Sequence, residues 1–452
     1  MAGSLCLLLD LYELTMAESY FHYKRDTHAT FDLFVRELPA SRNFLLSCGL
    51  EDILSYLKNL RFTGQDLDYL RKQRQFSGGF LKYLSRFKFT GDIWALPEGE
   101  IFFANEPVIR VTAPIIEAQI IESFLLNTLN LQTMIASKAS RVVLSSRGRS
   151  VFDFALRRTH GGDAGVKVSR SSYIAGFNGT SNVLAGKLYG IPVVGTMAHS
   201  FVMSFKRELD SFLAYSNTFP ERTTLLVDTY DTKKGIENAI KIGLYLKQRK
   251  HRLQAIRLDS GNIVSLSKYA RNRLDKAGLD YVKIFASGNL DEFKIEKLLS
   301  ARAAVDSFGV GTNMGTSIDA PSLDVIYKIS EVTDESGKFL PTMKLSQGKV
   351  TYPGRKQVFR QKDKTGKFLR DILGLEKEKV RGEPLLIKVV QRGKIIYHSP
   401  SLDKIRSYVK STLSRLPAVF KSVNSEYKYP VVVSPQLKNL RSSLARQLAE
   451  RQ

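Results

Sequence analysis

Between Ser150 and Phe308 the chain repeats one pattern: a short apolar run, a polar turn, then a stretch whose apolar residues return at helical spacing. The runs are Val151–Phe154, Tyr173–Gly176, Ile191–Gly195, Thr224–Val227, Ala255–Leu258, Tyr281–Phe285 and Ala304–Phe308. Amphipathic patterns follow several of them, at Lys233–Lys247, Ile263–Lys276 and Asp291–Ser300. Units of roughly 25–30 residues suit parallel strands joined by helices. This alternation restricts the middle of the chain to an α/β fold, either a doubly wound sheet or a barrel.

Polar residues and glycines stand just beyond these runs: Arg157, Arg158, Gly179, Thr196, Asp228, Asp259, Ser260, Ser287, Gly309 and Thr312. In a barrel every strand C-terminus converges on one face, so all of them can share a site. A doubly wound sheet gathers only those near its switch point. The pattern therefore favours the barrel.

The flanks differ. Residues 1–110 mix helical stretches (Leu50–Asn59, Phe80–Phe87) with β-like sequence from Gly91 to Thr112, and Ile115–Ser140 reads as one long helix. Beyond Ser330 lie strand and turn material and a basic helix near Ser401–Leu413. Of the net charge of +24, +18 falls in residues 337–452, where 26 Lys and Arg face 8 Asp and Glu. Such a tail is either a solvated basic face or a binding surface for nucleic acid or another anionic surface, but it carries no recognised nucleic-acid-reading motif. No run approaches eighteen apolar residues, and Leu5–Leu9 is too short for a signal segment. Cys6 and Cys48 form no disulfide framework or zinc spacing and read as buried small hydrophobes. A cytoplasmic protein is expected.

Among six histidines, His199 stands out, because Gly195-Thr196-Met197-Ala198-His199-Ser200 directly follows an apolar run. A strand-end imidazole among hydroxyls suits a general base or a nucleophile. In Ile256-Arg257-Leu258-Asp259-Ser260-Gly261 the cation and carboxylate lie two apart, on one face of a strand. They serve a ligand or each other. Gly309-Val310-Gly311-Thr312 is a phosphate-loop candidate without the Walker closing Lys-Ser/Thr. Asp228 suits metal binding, orientation of a histidine, or helix capping, the last being the usual role of an isolated Asp there. Tyr12 reads as a core aromatic. His160, beside Arg157 and Arg158, sits in a basic loop able to meet an anion.

Taken together, Asp10–Met16, Phe154–Arg158, Gly176–Gly186, Gly195–Phe201, Ile256–Gly261, Asp306–Thr312, Asp319–Lys328 and Tyr352–Arg360 resemble the nicotinate phosphoribosyltransferase family of type II phosphoribosyltransferases. The resemblance implies an irregular α/β barrel (113–335) joined to a discontinuous α+β domain made from 1–112 and 336–452. It implies coupling of nicotinate to phosphoribosyl pyrophosphate, giving nicotinate mononucleotide and pyrophosphate, as the first step from nicotinate to NAD. ATP as co-substrate, Mg²⁺ and a phosphohistidine at His199 belong to the same expectation. Asp228 is expected to orient His199, and Asp259 to act in catalysis and hold the metal. Tyr12, Phe154, Thr196, Arg257 and Ser181 are expected around nicotinate, with Tyr12 donated by the neighbour in a homodimer. Arg157, Arg158, Ser200, Ser287, Gly288, Gly309, Gly311 and Thr312 are expected around phosphates. Some of the tail's charge, at Lys349, Arg355, Lys356 and Arg360, is expected near the site.

The related nicotinamide phosphoribosyltransferases carry Asp at the position of Ser181 and Glu at that of Ala198, so both residues here favour the acid over the amide. One departure is Asn262, where the family usually has a second Asp: either a weakened metal or ribose contact or a changed helix start. The alternatives are a nicotinamide phosphoribosyltransferase and a basic nucleic-acid-binding protein.

Overall fold

The structure, a computed structural model, describes residues 5–40, 42–345, 351–425 and 427–450, so Lys349 lies outside the described residues. Two compact units emerge: residues 135–321, and a discontinuous one of 1–134 with 322–452.

The 135–321 unit carries six parallel strands: β1 (Ser150–Asp153), β2 (Gly179–Thr180), β3 (Thr224–Leu226), β4 (Ala255–Leu258), β5 (Lys283–Ala286) and β6 (Ser307–Val310). Their spatial order is β2-β1-β6-β5-β4-β3. Each strand neighbours its successor except at the β2/β3 seam, and the last strand pairs with the first, Val310 against Asp153. That is a ring opened at one seam, whereas a doubly wound sheet reverses direction at its middle. The sheet is thus a curled, open barrel.

Two expected strands did not form. Tyr173–Gly176 is the end of the helix Gly162–Ile174, whose run stops at Gly176 with φ +119°. An apolar run on the buried face of a helix looks the same in sequence as a buried strand. The strand is instead the short β2, and Ile191–Gly195 contributes only a bridge from Val193 to Thr180. The expected helices formed at Thr232–Gln248, Ile263–Lys276 and Glu292–Ser300. Asp231 and Asp291 cap the first and last of these through their side chains. Asp228 caps none of the three. In the same unit, buried Lys138 Nζ reaches Glu292 and motif residue Asp319, each at 2.7 Å.

The discontinuous unit centres on a seven-stranded sheet in which His28–Val35 lies between Val325–Thr333 and Pro107–Pro114, antiparallel to both. These pairings explain why its limits fall at 134 and 322 rather than at the expected 112 and 336. The strand Val325–Thr333 hydrogen-bonds to an N-terminal strand, and the helix Ile115–Ile120 packs on that same sheet. A second sheet pairs Lys356–Lys362 with Phe368–Leu375. The expected long helix is broken at Ile121 into Ile115–Ile120 and Glu122–Ser145. The basic C-terminal helix spans Leu402–Arg415.

Three of the tail's motif cations form internal ion pairs of this unit. Lys356 reaches Asp32 at 2.7 Å, Arg360 holds Glu100 and Asp371, and Arg355 holds Glu331 at 2.8 Å. Lys356 and Arg360 are buried, where a lone charge costs several kcal/mol, so their carboxylate partners are obligatory. Cys6 and Cys48 are buried and unbridged, as expected.

Candidate active site

The C-terminal ends of the barrel strands bring Phe154, Thr196, His199, Asp228, Arg257, Asp259 and Ser287 together. Along β4, Ile256 and Leu258 are buried in the core while Arg257 points to the other face. Its guanidinium is fixed on three sides: Nε donates to Ser287 Oγ (2.8 Å), Nη1 to Thr196 Oγ1 (3.1 Å) and Nη2 to Asp259 Oδ1 (2.7 Å). Arg257 also lies over the Phe154 ring, 5.3 Å from its centroid. A guanidinium has five N–H donors, so two remain uncommitted. Arg257 and Asp259 share a face as their spacing implied, and they do pair. The pair leaves spare donor capacity.

Asp259 Oδ1 also accepts from Ser287 Oγ at 2.5 Å. Partial burial works against its ionisation, but the Ser287 hydrogen bond and the Arg257 charge outweigh it, with His199 adding. The carboxyl is held below its usual range. Its Oδ2 lies 4.0 Å from His199 Nε2.

His199 opens a short helix, His199–Met203, and is about two-fifths exposed at its side chain. Its Nδ1 meets Thr229 Oγ1 at 3.1 Å. The expected partner Asp228 does not reach it. Asp228 Oδ2 instead accepts from the Asp259 amide (3.0 Å) and from Ser260 Oγ (2.5 Å), which pins the turn after β4. Two residues in adjacent positions point differently at a strand end, and only the folded loop decides which one faces the imidazole.

The glycines act largely by making room. A Cβ on Gly288 would lie 1.9 Å from the Asp259 carbonyl oxygen, and its φ is +95°. Gly309 lies within β6 rather than in a loop, and a Cβ there would strike the Phe154 and Phe285 rings at 2.8–2.9 Å. The structure thus gives this glycine a steric role. Gly311 precedes a helix of only four residues, Thr312–Gly315. Asn313 ties that turn to the β5 loop through Asn289 O and Asp291 Oδ2, both at 3.0 Å.

Arg157 and Arg158 are exposed in a 3₁₀ turn after β1, with no carboxylate at ion-pair distance among the described residues. Ser200 is exposed beside His199, and the Ser181 amide donates to Asp153 O at 2.8 Å. Asp153 was not singled out from sequence. Buried at the end of β1, it accepts from the Ala155 amide (2.8 Å), Ser169 Oγ (2.9 Å) and Thr180 Oγ1 (2.7 Å). It thereby fixes the turn that carries Phe154, Arg157 and Arg158 and joins β1 to β2. Tyr12 belongs to the other unit, in the first turn of the helix Leu11–Tyr23; it is 46% exposed, not a core aromatic.

Asn262 caps the helix Ile263–Lys276, accepting from the Ser265 amide at 3.1 Å. Of the two readings of this departure, the structure displays the helix start. Among the described residues no group of three His, Cys, Asp or Glu side chains is arranged to hold a metal ion. Two carboxylate oxygens nonetheless lack a hydrogen bond at the site, Asp259 Oδ2 and the buried Asp228 Oδ1. Such a set fits Mg²⁺ held by one or two carboxylates and mostly by substrate phosphates.

Residues 7–130 match the nicotinate phosphoribosyltransferase N-terminal domain, 150–367 the nicotinate phosphoribosyltransferase family, and 378–441 the C-terminal domain of these proteins. The nicotinate phosphoribosyltransferase pncB2 of Mycobacterium tuberculosis is 48% identical over 433 residues, covering 95% of this chain and 92% of its own. The chain belongs to the nicotinate phosphoribosyltransferase family. The Bacillus subtilis nicotinate phosphoribosyltransferase is 38% identical over 462 residues, 95% of this chain and 93% of that protein. The crystal structure of human nicotinic acid phosphoribosyltransferase superimposes with a TM-score of 0.86 at 29% identity, covering 96% of this chain and 99% of that one. Within this member of the nicotinate phosphoribosyltransferase family, Asp153 and Thr229 are the site residues that sequence reasoning passed over. Each neighbours a residue that was singled out, and nothing in its local pattern separates it from a turn residue. No helix among the described residues is long and apolar enough to cross a membrane.

Proposed function

We propose that this chain transfers the phosphoribosyl group of phosphoribosyl pyrophosphate to nicotinate, forming nicotinate mononucleotide and pyrophosphate, the step that commits nicotinate to NAD. The observation that carries the reading is Arg257: two N–H groups left free by Thr196, Ser287 and Asp259, beside the Phe154 ring. A planar pair of donors matches a carboxylate, and the ring offers a stacking wall to a pyridine. With Ser181 on the Asp153 side and no added carboxylate there, the acid is preferred to the amide.

In the transfer, the pyridine nitrogen attacks the anomeric carbon as the bond from that carbon to the pyrophosphate oxygen breaks. Positive charge grows on the ribose and negative charge on the leaving group. The ionised Asp259 faces the first, and the unpaired Arg157 and Arg158 are available to the second. Magnesium, when bound, would neutralise the leaving pyrophosphate. Asp259 and Asp228 would hold it.

ATP use belongs to the same proposal. His199 Nε2 takes the γ-phosphoryl group as the bond to ADP breaks, and water later releases phosphate and restores the imidazole. The exposed face of His199 leaves it open to the nucleotide. A homodimer in a cytoplasmic setting, with Tyr12 of one subunit walling the nicotinate site of the other, completes the reading; its support is the exposure of Tyr12 beside exposed Leu8 and Leu11.

The test is incubation with nicotinate, phosphoribosyl pyrophosphate and Mg²⁺, with and without ATP. Nicotinate mononucleotide is expected in both, faster with ATP, and His199→Ala is expected to remove the ATP stimulation. No product under either condition refutes the function.

A further inference from the structure

His199 is held by a hydroxyl and not by a carboxylate. Nδ1 lies 3.1 Å from Thr229 Oγ1, and no other hydrogen bond to the ring occurs among the described residues. The nearest carboxylate oxygen is Asp259 Oδ2, at 4.0 Å and on the Nε2 side. Asp228, one residue before Thr229, spends Oδ2 on the Asp259 amide and Ser260 hydroxyl. Orienting the ring and pinning the turn, which one carboxylate has the acceptors to combine, are divided between neighbours.

We propose that Thr229 is the positioning residue that presents His199 Nε2 to the γ-phosphate, while Asp228 positions the Asp259–Ser260 turn. The proposal rests on the phosphohistidine reading given above. Its logic is that of tautomers. An imidazole attacks through the nitrogen that bears no proton, and the proton sits where an acceptor holds it. The Thr229 hydroxyl accepts from Nδ1–H, which leaves the Nε2 lone pair outward. In the phosphorylated ring the same Nδ1–H remains, so the contact persists through the cycle. Unlike a carboxylate, the hydroxyl adds no negative charge next to an incoming polyphosphate. Without it, rotation of the ring about its Cβ–Cγ bond exchanges the two edges, and Nδ1 competes for the phosphoryl group.

The test uses full-length enzyme with γ-labelled ATP and Mg²⁺, measuring the rate of protein labelling and the phosphohistidine isomer after alkaline digestion. The parent is expected to label on Nε2 alone. Thr229→Val, nearly the same shape without the hydroxyl, is expected to label about tenfold more slowly and to yield some Nδ1 isomer. Thr229→Ser, which keeps the hydroxyl, is expected to label within about threefold of the parent and on Nε2 only. Asp228→Asn is expected to keep the Nε2 isomer even where its turnover falls. The inference is overturned if Thr229→Val labels at the parental rate on Nε2 alone, or if Asp228→Asn rather than Thr229→Val changes the isomer. A parent that takes no label on His199 overturns the phosphohistidine reading itself, and this inference with it.

Discussion

Replacing Arg257 by Lys tests the nicotinate site at its centre. The substitution keeps one positive charge but exchanges a planar fork of five donors for a point charge with three. Three protein acceptors, on Ser287, Thr196 and Asp259, already claim three of the arginine donors. An ammonium at this place satisfies at most those, and none remains for substrate. Two charge-assisted hydrogen bonds to the carboxylate are at stake, at roughly 1.5–3 kcal/mol each, and the retained charge recovers part of that. A net loss of about 2–3 kcal/mol corresponds to roughly 30–150-fold. The carboxylate is bound alike in ground and transition states, so the loss should appear mainly in the KM for nicotinate. The assay is steady-state formation of nicotinate mononucleotide at saturating phosphoribosyl pyrophosphate, with nicotinamide as the comparison substrate. Preference for acid over amide should fall together with affinity. A KM for nicotinate within threefold of the parent would refute the assignment of the two free donors to the carboxylate.

Three further outcomes follow from the same geometry. Gly288→Ala places a Cβ 1.9 Å from the Asp259 carbonyl at a φ of +95°; strain and overlap together cost about 2–5 kcal/mol, or roughly 5–15 °C in Tm by calorimetry, and a Tm within 1 °C would count against the close packing of the turn after β5 on the turn after β4. Burial pushes the Glu13 carboxyl up to about 8, against two hydrogen bonds from Ser123 and with help from the Glu122 charge. Being raised in the folded state, it leaves folding unpenalised at pH 4, and stability is then lost as pH rises towards 8. Glu13→Gln should therefore gain on the parent over that window by up to about 4 kcal/mol, read from denaturant midpoints; parallel pH profiles would exclude it. Asn262→Ala should lower stability by about 1 kcal/mol through loss of the Ser265 cap, while Asn262→Asp should match the parent in Tm, and a large gain in activity from Asn262→Asp would show a metal or ribose role beyond capping.

Much of the barrel could be read from the chain because its determinants are local. β3 and β4 and the three helices after β3, β4 and β5 follow from apolar spacing and from caps such as Asp231, Asn262 and Asp291. The run Tyr173–Gly176 misled because four apolar residues satisfy both periods, and only the packing of Gly162–Ile174 resolves them. The tail's excess charge was similarly ambiguous. Lys356 and Arg360 belong to buried ion pairs with partners more than 250 residues away in two of their contacts, Asp32 and Glu100. Glu100 and Asp32 give no sign in sequence of that pairing.

The alternation after Ser150 determined a parallel α/β sheet, and the face shared by Arg257 and Asp259 followed from strand geometry alone. Family motifs pointed to the residues of the site. Which of them touch was decided by tertiary structure: the pairing of β6 with β1, which curls the sheet, and the turn after β3, which sends Thr229 to His199 and Asp228 to Ser260. The physical reason is one of range. Periodicity and capping act over a few residues, whereas the hydrogen bonds that set a side chain's role join strand ends about 30 residues apart, and their directions are fixed only when the loops close.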